Sequence, residues 1–177
     1  MKAIVTAVVV LAAVAVAAEG RDGADLARWA GTYQQRTVIE VSNGPGRPPG
    51  KWPVPEVLEI VPVDRTHAYI RVHTEFDEGH VCAIWGVARL ERETLVYSTV
   101  RTGPKDRCTL VVRRAGAKIV FEDPDGTCKW DFCGQRGDFV ADAFAVSSRR
   151  PIRYMKRLLA SPQYHEAMAE WDANGRQ

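Results

Sequence analysis

The sequence predicts a mainly β fold: an antiparallel meander closed as a small barrel, with helices confined to the C-terminal tail. Three observations predict it. Apolar and polar residues alternate with period two from Val57 onward, which is the pattern of half-buried strands. Turn-forming residues punctuate that pattern every ~8–12 residues, the spacing of an all-β meander. The period then becomes helical in the tail, over about 151–173.

The elements follow in order. Met1-Lys2 is followed by an uncharged run from Ala3 to Ala18, rich in alanine and valine. A basic start, a short apolar run and small residues before a polar stretch make a secretory signal peptide. Residues 1–18 are read as that signal, cut after Ala18 and before Glu19. The run is shorter than the ~20 residues of a spanning helix, so a membrane anchor is disfavoured. Residues 19–177 then form one domain, periplasmic or secreted and bacterial by the alanine-rich signal. Asp25–Ala30 reads as a helical turn leading into a first strand at Gly31-Thr32-Tyr33. Asn43 to Pro55 holds five prolines and three glycines in thirteen residues, and is predicted to be a long loop carrying Trp52.

Beyond the loop, Ala68, Ile70, Val72 and Phe76 alternate with His67, Tyr69, Arg71, His73 and Glu75. Further strands are predicted at Val81–Leu90, Thr94–Val100, Cys108–Arg114, Lys118–Glu122, Cys128–Phe132 and Phe139–Val146. Glu78-Gly79, Gly103-Pro104, Ala115-Gly116 and Pro124-Asp125-Gly126 separate them. In the tail, Ile152, Met155 and Leu159 recur at helical spacing. Ser161-Pro162 reads as an N-cap with proline at the first helical position. Tyr164, Ala167, Met168 and Trp171 then form an amphipathic stripe that suits a helix laid on the barrel wall.

Four cysteines, Cys82, Cys108, Cys128 and Cys133, read as two disulfides in an exported chain. No Cys-x-x-Cys pair is present, which disfavours zinc and thioredoxin-like chemistry. Folding the strands as consecutive hairpins brings Cys82, Cys108 and Cys128 to one rim of the sheet. Cys108–Cys128 with Cys82–Cys133 is the favoured pairing. Cys82–Cys108 with Cys128–Cys133 is the competitor, and sequence alone leaves the choice open.

Trp29-Ala30-Gly31-Thr32-Tyr33 resembles the opening strand of lipocalin and fatty-acid-binding barrels, with Tyr33 where lipocalins place a tryptophan. The order of barrel and then helix is similar too. The resemblance implies a calycin-like barrel that binds a ligand or a protein.

Function is less sharply marked. The chain has 24 Lys+Arg against 22 Asp+Glu, and a net charge of +2 gives no electrostatic reason to expect nucleic acid. No phosphate-binding glycine loop, serine-hydrolase elbow, cofactor motif or metal-ligand spacing is present. His67 and His73 share a strand face ~20 Å apart, too far to share a metal. Arg136, bracketed by Gly134 and Gly137, offers a guanidinium for a carboxylate or phosphate; glycines serving a tight corner with positive φ are the favoured account. Glu75–Glu78 is an acidic hairpin tip, read first as a solvated turn. Arg149, Arg150, Arg153, Lys156 and Arg157 form a basic cluster, read first as a solvated face.

Three function classes remain. The first is a non-enzymatic exported barrel that binds a small apolar ligand or an envelope component. It recognises its partner at the open end, with Trp52 and Arg136 as its candidate residues. The second is a protein inhibitor of a lysozyme-like or toxin enzyme in the envelope. The third is a hydrolase using carboxylates such as Glu59, Glu75 or Asp131. A wide apolar lumen favours the first, a solid core with protruding loops the second, and two close carboxylates of shifted pKa in a cleft the third.

Overall fold

The computed structural model describes residues 26–99 and 107–174. The predicted signal peptide and its predicted cleavage point lie outside the described residues, as do Val100 and the predicted turn at Gly103-Pro104. Among the described residues, eight antiparallel strands form one sheet in sequential order. They are β1 (Gly31–Val41), β2 (Gly50–Pro62), β3 (His67–Phe76), β4 (His80–Glu91), β5 (Thr94–Ser98), β6 (Thr109–Ala115), β7 (Lys118–Glu122) and β8 (Ala143–Ala145). The helices are α1 (Thr127–Phe132), α2 (Met155–Leu159) and α3 (Pro162–Ala173). The sheet curls into a nearly closed barrel, compatible with the lipocalin-like architecture. Thr32 and Arg150 bridge the first strand to the segment after the last, exchanging backbone bonds of 2.9 and 2.8 Å.

Alternation decides what fills the barrel. Tyr33, Leu58, Ile60, Ile70, Ile84, Leu95 and Leu110 point inward from successive strands, and Phe121, Phe139 and Phe144 join them. Most of these side chains are fully buried, so the lumen is packed with protein rather than left as a wide apolar cavity. Residues 26–29 form a helical turn that puts Leu26 and Trp29 into the same core. Tyr33 donates its hydroxyl to the Trp29 carbonyl at 2.8 Å.

Two predicted boundaries are corrected. The proline-rich loop is shorter than its composition suggests, because β2 already begins at Gly50 and pairs with β1 as far as Gly50–Val41. Before Val57, β2 has no ladder partner in β3. Pro53 and Pro55 therefore sit on a two-stranded ribbon at a sheet edge, where proline is tolerated. Trp52 is consequently a strand residue, opposite Ile39. The predicted strand Cys128–Phe132 is α1. The Asp123 carboxylate accepts from the backbone N–H of Cys128 at 3.3 Å and of Lys129 at 2.9 Å, which satisfies the first turn of a helix. Of the predicted strand Phe139–Val146, only β8 is extended; residues 139–141 are a 3-10 turn.

The strands β4 and β5 pair over three residues only, from Arg89–Val96 to Glu91–Thr94. Beyond that point they separate, and the Tyr97 side chain fills the seam beside Gly86. The tail covers it from outside. Tyr97 donates to Glu170 at 3.1 Å and Trp85 Nε1 donates to Glu166 at 3.1 Å, both on α3. Ser161 caps α3 by accepting from the Tyr164 N–H at 3.2 Å, with Pro162 following it. Leu158 and Ala167 bury against Val61 and Tyr69 on the outer wall. In α2 the inward residue is thus Leu158, while Met155 and Leu159 are partly exposed.

Candidate recognition rim

One rim of the barrel gathers the unusual features. The Cys82–Cys133 bridge ties the start of β4 to the residue after α1, with Cα atoms 4.0 Å apart. The Cys108–Cys128 bridge ties the segment before β6 to the first turn of α1, with Cα atoms 4.6 Å apart. Among the described residues no cysteine is free. A six-residue helix is too short to persist by its own propensity. Here covalent bonds hold it at both ends.

That helix presents Trp130 to solvent, 80% exposed. Read as a strand, Cys128, Trp130 and Phe132 share one face. In a helix two residues turn about 200° round the axis, so Trp130 swings away from the buried Cys128. Val140, on the neighbouring 3-10 turn, is 54% exposed. Lys129 and Asp138 join the two segments with a salt bridge of 3.4 Å.

The other rim candidates fall as follows. Trp52 is 58% exposed on the ribbon, its indole lying over Gly50. Arg136 is exposed on the turn closed by Gly137 N–H and Gly134 C=O at 2.8 Å. The glycines of this turn do not serve through positive φ, which neither adopts. They are required by crowding: a Cβ at Gly134 would meet His80 Nδ1 at 2.6 Å, and one at Gly137 would meet Cys82 Sγ at 2.7 Å. The acidic tip is engaged rather than simply solvated. Asp77 accepts from the Glu40 N–H at 2.7 Å and Glu78 from the Ser42 N–H at 3.1 Å, covering the free edge of β1.

The three carboxylates singled out from sequence lie apart. Glu59 faces outward yet is buried beneath the tail. It accepts from Arg71 Nε at 2.6 Å and from the Tyr154 hydroxyl. The bond to Glu59 holds the Arg71 proton more firmly, and burial raises the Tyr154 hydroxyl. Glu75 meets His73 Nε2 at 3.4 Å on the outer face of β3, and Asp131 is exposed on α1. Two members of the basic cluster, Arg149 and Arg150, donate to backbone carbonyls. Arg149 donates to the carbonyls of Arg28 and Ala27 at 2.8 and 3.1 Å, and Arg157 lies over the Tyr154 ring.

A different pair of carboxylates faces inward at this rim. Glu56, 1% exposed, accepts through Oε2 from Gln35 at 2.6 Å and Thr37 at 2.9 Å. Asp142 follows the 3-10 turn, and burial pushes its carboxyl up to about 6; the Thr74 hydroxyl draws it down, while Glu56 and Asp138 add to the rise. Sequence carried a signal for this group. Glu56 occupies the inward parity of Leu58 and Ile60, and Thr74 that of Val72 and Phe76. A polar residue inside an apolar series marks a lumen position with a polar task. Compared with protein-family models, with curated proteins and with solved structures, the chain matches none.

Proposed function

We propose that this protein is an exported, non-enzymatic binding protein that recognises a protein of the cell envelope through its disulfide-stapled rim. The observation that carries the reading is Trp130, 80% exposed on a helix fixed at both ends by disulfides. Tryptophan is enriched among binding hot spots, and a rigid anchor loses little conformational entropy on docking. The packed lumen supports a protein partner over a small apolar ligand held inside. Two disulfides and the leader-like start support export. No described helix is long and apolar enough to cross a membrane. An inhibitor is the same reading with an enzyme as the partner, and the projecting β1–β2 ribbon is the element that would enter its cleft.

The test is crosslinking from a photoreactive residue at position 130 in envelope extract, with capture by Trp130→Ala and Trp52→Ala variants alongside. A defined envelope protein is expected at position 130. Trp130→Ala is expected to lose capture while melting within a degree or two of wild type, as an exposed side chain should. Capture that survives Trp130→Ala unchanged removes the rim from this role.

A further inference from the structure

Three buried oxygens at the inward face of the rim have no hydrogen-bond partner among the described residues: Glu56 Oε1, Thr74 Oγ1 and Asp142 Oδ2. Glu56 and Thr74 are both sealed from solvent. Val57 pairs with His73, so the next step of the register sets Glu56 beside Thr74. The Thr74 hydroxyl and the Glu56 charge both act on Asp142, which places the three groups together.

Among the described residues, the Thr74 hydroxyl is a donor that bears on Asp142, and its one hydrogen cannot serve both carboxylates. Gln35 and Thr37 both bond the other oxygen of Glu56. The ionisable groups that bear on Asp142 are Glu56 and Asp138, both acidic, and Asp138 has Lys129 as its own partner. Buried polar atoms are nearly always paired, and two buried carboxylates with one hydroxyl between them leave an acceptor open for a donor that the described residues do not supply. With two carboxylates and no cation among the described residues bearing on Asp142, that donor gains most if it is positively charged. A metal ion is poorly served, because among the described residues no three His, Cys, Asp or Glu side chains converge. Asp142 is only partly buried and Ala141 beside it is exposed, so the approach lies past Asp142.

We propose that Glu56, Thr74 and Asp142 form a binding site for a cationic N–H donor, an ammonium or guanidinium group, carried by a small amine or displayed on a Lys or Arg side chain. The site uses inward-facing oxygens and not Trp130, so it stands apart from the reading of the rim above.

The test is calorimetric titration of the disulfide-intact protein at neutral pH. The probes are n-butylammonium, n-butylguanidinium, the neutral isostere N-butylurea, and a capped Gly-Gly-Arg-Gly-Gly peptide. At least one cationic probe is expected to bind saturably while N-butylurea does not. Binding should weaken by about tenfold or more in Glu56→Gln and in Asp142→Asn, the loss of one charge-assisted bond. Thr74→Val, which keeps shape and charge, should weaken it as well and stands in if a carboxylate variant fails to fold. Binding should also release protons near the Asp142 titration at about 6, since a cation favours the carboxylate. Binding by the peptide alone assigns the source to a protein side chain, and binding by the butyl cations to a free amine. No saturation by any cation at millimolar concentration, equal binding of N-butylurea, or affinity unchanged in the folded variants would overturn the site.

Discussion

The Tyr97 ring lies so close to Gly86 that a Cβ at position 86 would stand 1.9 Å from Tyr97 Cε2. No side chain larger than hydrogen fits there while Tyr97 occupies the seam between β4 and β5.

Gly86→Ala is therefore expected to destabilise the fold by about 1–3 kcal/mol, the usual cost of overpacking. Combining it with Tyr97→Leu should recover part of that loss, because the smaller side chain vacates the space. Chemical denaturation of the two single variants and the double variant measures the coupling. Additive losses would show that the contact is not what excludes alanine.

The two disulfides are expected to leave no free thiol in the oxidised protein. Alkylation without reductant, read by mass spectrometry, should modify none of the four cysteines. Replacing Cys108 and Cys128 by serine should cost about 2–5 kcal/mol and loosen α1 in particular. Proteolysis between Thr127 and Gly137 would report that loosening.

Asp142 gives a pH dependence of definite sign. Its carboxyl lies at about 6 in the folded chain against 3.8 when free. Between those values the unfolded chain has released a proton that the folded chain retains. The contribution of this group to stability therefore falls as pH rises through the window from 3.8 to about 6. Stability curves of wild type and Asp142→Asn should diverge across it, with the variant gaining relative to wild type at the higher pH. Parallel curves would show that Asp142 is not held protonated by the fold.

Arg71 neutralises Glu59 beneath the tail. Arg71→Leu is expected to cost up to about 3 kcal/mol, because it leaves a buried carboxylate without its ion-pair partner. The double variant Arg71→Leu, Glu59→Leu should cost less than the single one. Thermal melts of both decide it, and a double variant no more stable than Arg71→Leu would refute the buried-charge account.

The barrel was legible in sequence because its signals are local. Period-two alternation marked β3 to β7, and Ser161-Pro162 marked the start of α3. The same rule misled at residues 128–132, where Cys-Lys-Trp-Asp-Phe alternates like a strand. The decisive contact there comes from Asp123, whose carboxylate reaches forward to two backbone N–H groups. It turned Trp130 outward, and so hid the residue that now leads the rim. Composition misled at residues 50–55, since prolines that would break a central strand are harmless on a ribbon with one neighbour. Glu56 and Asp142 were not paired from sequence because their meeting depends on how the sheet curls, which no local window records.

The attachment of the tail bears on how the chain can fold at all. The seam at β4 and β5 is finished by Glu166 and Glu170, which lie 81 and 73 residues beyond their partners Trp85 and Tyr97. The first strand likewise waits for Arg150. A chain emerging from its N-terminus thus has both gaps in its wall open until the last segment arrives. Loop closure over such separations is slow, and unpaired strand edges invite association meanwhile. Loss of even the final helix would leave Tyr97 and Trp85 uncovered on an otherwise complete sheet. Damage to the C-terminus is then a failure of the whole wall and not the trimming of an appendage.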